Sequence, residues 1–400
     1  MLFMAVIGPG IITAMVDNDA GGITTYSVAG ASFGYGLLWS LIPVTFFLII
    51  IQEMCVRIGI VSGKGLSDLI RESYGAKVTF YILMGLLFVN LATIIANFSG
   101  IAGSLEIFHI PRYLSVPFFA IVVWLLVTKG TYKSVEKIFL FAAVIYLAYI
   151  ISGFLAKPDW SDVAGNLLKP TFVFSKNYLL TLIGIIGTTI TPWMQFYIQA
   201  SVVEKGIKVE NYKFAKWDVI TGSIVSDVIS FFIIIASAAT LFVHGVSIET
   251  ASDAAVALEP FAGRFAELLF AVGLLNASVL AAMVVPISTS YSICEGLGFE
   301  SGVNKTFRQA PWFYGIFTAL LIIGSIPAML PNTPLIKVML FSQVINGVLL
   351  APVLIFILLL VNKKWLMGEY VNKPWYNFAA WTAVGILTCL SVVLVVSAFL

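Results

Sequence analysis

Charge is scarce in this 400-residue chain: 22 Lys and Arg and 20 Asp and Glu make up only 10% of it. Soluble domains carry roughly a quarter, so this chain lacks the polar surface that keeps a globule in water. No polar stretch is long enough to build a separate soluble domain. Histidine occurs twice, as His109 and His244, both in expected outer loops, which argues against a histidine-built metal site. The three cysteines, Cys55, Cys294 and Cys389, are too few and too scattered for a disulfide framework or a thiolate cluster. All three fall in or near apolar runs and are expected to be small buried hydrophobes. There is no His-Glu-x-x-His, no Ser/His arrangement and no nucleotide loop, so the chain is read as a non-enzyme. A net charge of +2 gathered into no patch leaves nothing to attract a nucleic acid.

What the chain has in excess is apolar sequence. Such residues make up 60% of it, with 31 Phe and 9 Trp. A spanning helix needs about 20 mostly apolar residues. Eleven such runs follow, at about 4–33, 36–61, 77–107, 113–129, 134–156, 176–203, 217–244, 264–295, 312–330, 335–361 and 376–400. The fold class is therefore an all-α integral membrane protein, one transmembrane domain over 1–400, with the lipid bilayer as its solvent. The first run lacks a basic leader and meets a Gly-rich polar interruption, so it reads as a mature span and not a signal peptide. A monomer is expected.

Basic residues set the expected orientation. With the N-terminus inside, only Arg112, Lys157, Lys169, Lys176, Arg264 and Lys337 fall outside, leaving sixteen of the 22 in inner loops and helix ends. An odd number of spans then places the C-terminus outside. A multi-pass protein of a bacterial plasma membrane is the expectation.

Two spans are interrupted. The first reads Ala14-Met15-Val16-Asp17-Asn18-Asp19-Ala20-Gly21-Gly22, and the sixth Gly184-Ile185-Ile186-Gly187-Thr188-Thr189-Ile190-Thr191-Pro192-Trp193. Proline removes a backbone donor, and a glycine pair is the poorest helix former after it. Backbone that leaves the helix at membrane depth must be enclosed by protein or line a watery cavity. Breaks five spans apart suit two inverted five-helix repeats (about 1–157 and 176–362, with an extra helix at about 376–400). Such paired breaks point to a midplane substrate site.

Oxygen is the chemistry at the breaks. An Asp at the bilayer centre costs roughly 2.5–3.5 kcal/mol and is functional by default. Asp19 is the leading ligand, although an Asp there also suits the cap of the following half-helix. Asp17, two residues away, need not face the same cavity, and Asn18 reads as a turn residue. Thr188 and Thr191, three apart, are expected to share a helix face as ligands or water ligands. Gln343 of the tenth span is a further candidate. Asp227 in the seventh span and Asn97 in the third are secondary ones. Carboxylate, carbonyl and water suit Mg²⁺, Ca²⁺ and Mn²⁺, and a roomy oxygen site suits Mg²⁺, which keeps several waters.

At these residues the chain resembles the Nramp family of divalent metal transporters over nearly its whole length. The likeness rests on Gly8-Pro9-Gly10, the Asp19 break, Ala29-Gly30, Phe33-Gly34-Tyr35, Leu37-Leu38-Trp39, Arg57-Ile58-Gly59-Ile60-Val61-Ser62-Gly63-Lys64, Pro192 and Ser342-Gln343-Val344. It implies a LeuT-like inverted-repeat fold. The family's Asp-Pro-Gly-Asn is here Asp19-Ala20-Gly21-Gly22, so its Asn ligand falls on Gly22. Its Ala-x-x-Met-Pro-His is here Thr188-Thr189-Ile190-Thr191-Pro192-Trp193, so its thioether becomes Thr191 and its proton-linked His becomes Trp193. The acidic positions of its third helix fall on Asn97 and Gly100. These losses together resemble the Nramp-related magnesium transporters. They imply alternating access by partly hydrated Mg²⁺, with Mn²⁺ also carried, no proton coupling and no cofactor. The alternatives are a conventional proton-coupled Mn²⁺/Fe²⁺ symporter and an organic-solute carrier on the same fold.

Overall fold

Glycine and proline, more than the apolar runs, decide where this chain bends. The structure is a computed structural model describing residues 8–129, 143–173 and 175–399, entirely helical in its regular elements. The first span is two helices, α1 (Pro9–Asp17) and α2 (Ala20–Phe33), separated at Asn18 (φ −82°, ψ 50°). The next are α3 (Leu41–Ser62), α4 (Leu66–Glu106) and α5 (Arg112–Lys129). Of the fifth expected span, α6 (Leu147–Leu155) is described. Its first residues, with the basic Lys133 and Lys137, lie outside the described residues. A short helix absent from the hydropathy reading, α7 (Trp160–Leu168), follows, capped by Asp159.

The sixth span is again two helices, α8 (Lys176–Thr189) and α9 (Pro192–Glu204). After them come α10 (Tyr212–Ser237), α11 (Ala266–Leu297), α12 (Pro311–Met329), α13 (Leu335–Val361) and α14 (Pro374–Phe399). One π-helical turn, Ala238–Phe242, extends α10. Among the described residues, nine helical stretches are long and apolar enough to cross a membrane. The broken first span and the partly described fifth are not among them. The third span starts earlier than the hydropathy run: Leu66–Tyr74 is helical, and a turn at Gly75 (φ 83°, ψ 167°) leads into the apolar part of α4.

Burial sorts the helices into an inner group and a rim. The most apolar stretch of the α8–α9 span is 89% buried inside the protein, against 22% for α5 and for α14. The rim helices put large apolar side chains such as Phe118 and Phe378 on the outside, where lipid and not water is the matching solvent. Cys389 sits on this rim and is exposed, unlike Cys55 and Cys294. The expectation of three buried thiols fails there because α14 packs on one side only. Around the two broken spans stand α3, α4, α10, α11 and α13. α1 lies against α10 so closely that a Cβ on Gly10 would come within 2.8 Å of the Asp218 backbone. The Asp218 carboxylate accepts from the Gly10 N–H at 2.7 Å, capping an α1 N-terminus that has no cap of its own.

Candidate functional site at the paired breaks

Asp19 stands between the two halves of the first span. Its Oδ1 accepts from the Gly22 N–H at 2.8 Å, so it caps α2. Its Oδ2 accepts from Asn97 Nδ2 of α4 at 2.9 Å, and Gln343 Nε2 of α13 reaches Oδ1 at a long 3.4 Å. The cap role and the placing of a charge at the break therefore coexist. Asn97 also holds the turn itself, its Oδ1 accepting from the Ala20 N–H at 3.3 Å. Gln343 is held in turn by Asn346, whose Nδ2 donates to its Oε1 and to Thr93 Oγ1, both at 3.0 Å. Two of the sequence candidates, Asn97 and Gln343, thus touch Asp19 directly.

Every donor to Asp19 is a neutral amide. None of the ion pairs among the described residues involves Asp17, Asp19 or Asp227. Nor do any three His, Cys, Asp or Glu side chains among the described residues come together as a metal cage. Any cation bound at Asp19 would complete its shell with carbonyls, hydroxyls and water.

The glycine pair plays a different part from the one expected. Gly21 and Gly22 are not in the break but in the first turn of α2. A Cβ on Gly21 would collide with the Gln343 amide, and one on Gly22 would lie 2.6 Å from the Asp17 carbonyl and 3.0 Å from Thr188 Oγ1. Glycine is required here for close approach, because the helix N-terminus itself tolerates most residues.

In the sixth span the break lies at Ile190 (φ −122°, ψ 70°) and Thr191 (φ −77°, ψ 146°), and the chain turns helical again at Pro192. Proline suits that first helical position, where its missing N–H costs nothing. Thr188 and Thr191 therefore do not share a helix face: one ends α8 and the other precedes α9. The three-residue spacing misleads because no helix connects them. Thr188 Oγ1 lies 3.5 Å from the Asp17 carbonyl. Thr191 Oγ1 is buried with no hydrogen-bond partner and caps nothing. Trp193 is buried in the first turn of α9, its ring 6.1 Å from that of Tyr197 and its carbonyl accepting from Ser288 of α11. Methionine sulfur is engaged elsewhere: Met194 with Gln52 Nε2 at 3.9 Å, Met339 with Thr24 Oγ1 at 3.5 Å.

Asp17 and Asn18 look the other way, toward α10. Ser226 Oγ donates to Asp17 Oδ2 at 2.7 Å, and Asn18 is braced by Ser226, Ser230 and the Tyr146 hydroxyl. The turn reading of Asn18 is consistent with its side-chain amide and its carbonyl all being bonded to protein. Asp227, next to Ser226, is buried with no hydrogen-bond partner on either oxygen. Sequence reasoning missed the serines, Tyr146, Thr93 and Asn346. Ser223, Ser226 and Ser230 recur at helical spacing in an apolar run, a polar stripe that was available as a signal.

The chain is matched over residues 10–397 by the family described as natural resistance-associated macrophage protein-like. Its relatives include two proteins named divalent metal cation transporter MntH. That of Caldanaerobacter subterraneus subsp. tengcongensis is 28% identical over 386 residues, 93% of this chain and 88% of that protein. That of Bacillus subtilis is 27% identical over 410 residues, 98% and 92%. Among solved structures, the manganese transporter of Eremococcus coleocola superposes with a TM-score of 0.81 at 21% identity, covering 98% of this chain and 86% of that one. The amino-acid-bound MhsT does so at 0.62 and 14%, covering 97% and 98%. These likenesses give a multi-span fold of the LeuT-like kind. With the family matched over almost its whole length, the chain belongs to the Nramp family, a family of transporters and not of enzymes.

Proposed function

We propose that this protein carries divalent metal cations across a membrane by alternating access, and that partly hydrated Mg²⁺ is its main cargo, with Mn²⁺ second. One observation carries the reading: Asp19, a carboxylate at the meeting of two broken helices, is held by neutral amides alone. A negative charge so placed favours a cation and disfavours a carboxylate-bearing organic solute. The names of the relatives support divalent metal as the class of cargo.

Within that class the donor set favours the harder ion. Thr191 and Thr188 offer hydroxyls at the sixth-span break, and oxygen donors with water suit Mg²⁺. Gly22 carries no side chain where the resemblance places the family's Asn ligand, so that donor is absent here and water or backbone oxygen takes its part. Transport is proposed to be uncoupled from protons, because Asn97 and Trp193 stand where the resemblance places titratable groups. The membrane potential alone supplies about 4.6 kcal/mol per 100 mV for a divalent ion, twice the single-charge value. The two five-span repeats, an N-terminus facing the cytoplasm and a bacterial plasma membrane belong to the same proposal.

A second reading, proton-coupled Mn²⁺ or Fe²⁺ symport, is favoured on its metal by the comparisons, since the relatives are named divalent metal cation transporters and one similar solved structure is of a manganese transporter. Its proton relay would fall to Asp17 or Asp227. Uptake into proteoliposomes holding a metal-sensitive dye separates the two. Mg²⁺ uptake on its own, competed by Mn²⁺, is the expected result; Mn²⁺ uptake with no response to millimolar Mg²⁺ would overturn the magnesium reading.

A further inference from the structure

Asp17 and Asp19 are two residues apart, yet their partners lie on opposite sides of the broken span. Asp19 is held from α4 and α13, whereas Asp17 is held from α10 by Ser226. Behind the break, the Asp17 Oδ1 and both oxygens of Asp227 are buried and have no hydrogen-bond donor. Ser226, which holds Asp17 at 2.7 Å, is the chain neighbour of Asp227, so both carboxylates lie where α1 packs on α10. Thr45 of α3 lies beside Asp227, but its hydroxyl donates to the Leu41 carbonyl at 2.7 Å. Tyr26 faces the same pair of acids, its hydroxyl 2.7 Å from Thr189 Oγ1. One turn from Asp227 along α10, Ser223 Oγ is likewise buried without a partner.

Two carboxylates out of water repel each other and lose their hydration, which is tolerated only where a proton or a cation neutralises them. No basic side chain among the described residues pairs with either. The buried oxygens left without partners here, on Asp17, Asp227 and Ser223, are carboxylate and hydroxyl, the donors of a hard cation. We propose that Asp17 and Asp227 form a second divalent-cation position, behind the first-span break and separate from Asp19. Hydroxyls of Tyr26 and Ser223 stand at its margin, and Ser226 fixes Asp17 by occupying its other oxygen. A cation passing between α1 and α10 would find there a second acidic station. This rests on reading the protein as a carrier of divalent cations, but not on Asp19 being its transport site.

The test counts bound metal. Full-length protein in lipid nanodiscs is dialysed to equilibrium against Mn²⁺, and the metal per chain is measured for wild type, Asp19→Asn, Asp227→Asn and Asp17→Asn. Two Mn²⁺ per wild-type chain are expected, and one in each variant. Thermal unfolding keeps the test clear of folding failure. Asp227→Asn removes an uncompensated charge, so its metal-free midpoint should rise while part of the Mn²⁺-induced rise disappears. A group with a merely structural role would lower the metal-free midpoint when changed. One Mn²⁺ per wild-type chain, lost only in Asp19→Asn, would overturn the second position and leave the Asp19 reading standing. A count that falls only in Asp227→Asn and Asp17→Asn would do the reverse.

Discussion

Asp19→Asn is expected to lower Mg²⁺ flux by ~100-fold or more while leaving the fold intact. The substitution keeps shape and keeps the cap, because an Asn oxygen accepts from the Gly22 N–H as the Asp oxygen does at 2.8 Å. What disappears is the one full charge at the junction of the two breaks. Its replacement also sets an amide donor against Asn97 Nδ2, which now donates to Oδ2 at 2.9 Å. Loss of partners behind a metal ligand typically costs 10–100-fold in affinity or activity, and the ligand itself should cost at least the upper end. Initial rates in proteoliposomes with equal amounts of monodisperse protein measure the effect. Flux within threefold of wild type would mean that the cation is held elsewhere.

Thr191→Met should change which ion is carried. The Thr191 hydroxyl is buried at the sixth-span break, without a partner and without a capping role. A thioether at that place is a soft donor that Mg²⁺ does not use and Mn²⁺ tolerates. The ratio of Mg²⁺ to Mn²⁺ flux is expected to fall roughly tenfold, ~1.4 kcal/mol of discrimination. Thr191→Val serves as the control, since it removes the oxygen and adds no sulfur; both fluxes should drop and their ratio should hold. An unchanged ratio in Thr191→Met would show that this side chain does not meet the ion.

The two breaks were legible because their causes are local. Pro192 restarts a helix as its first residue, and Asp19 caps one. The details around them were not local. Gly21 and Gly22 resemble helix breakers in sequence, but the need they meet is set by Gln343, Asp17 and Thr188. Thr188 and Thr191 lost their shared face because a break between two residues cancels the periodicity that joins them. The direction of Asp17 depends on Ser226, 209 residues away, and that of Asn18 partly on Tyr146, 128 residues away. No spacing rule reaches that far. Asn97 was legible as a polar residue inside the third span and through the family resemblance; its contact with Asp19 across 78 residues gives that position a physical role.

The central claim is an uncoupled divalent ion moving down its own electrochemical gradient, and a reversal potential tests it most directly. In a membrane carrying the purified protein, the zero-current voltage is recorded while Mg²⁺ and pH are varied separately across it. At 4.6 kcal/mol per 100 mV for two charges, a tenfold Mg²⁺ gradient corresponds to about 30 mV. The account predicts a shift of about that size with Mg²⁺ and none with pH. A potential that moves with the pH gradient at fixed Mg²⁺ would contradict it and return the protein to proton-coupled symport.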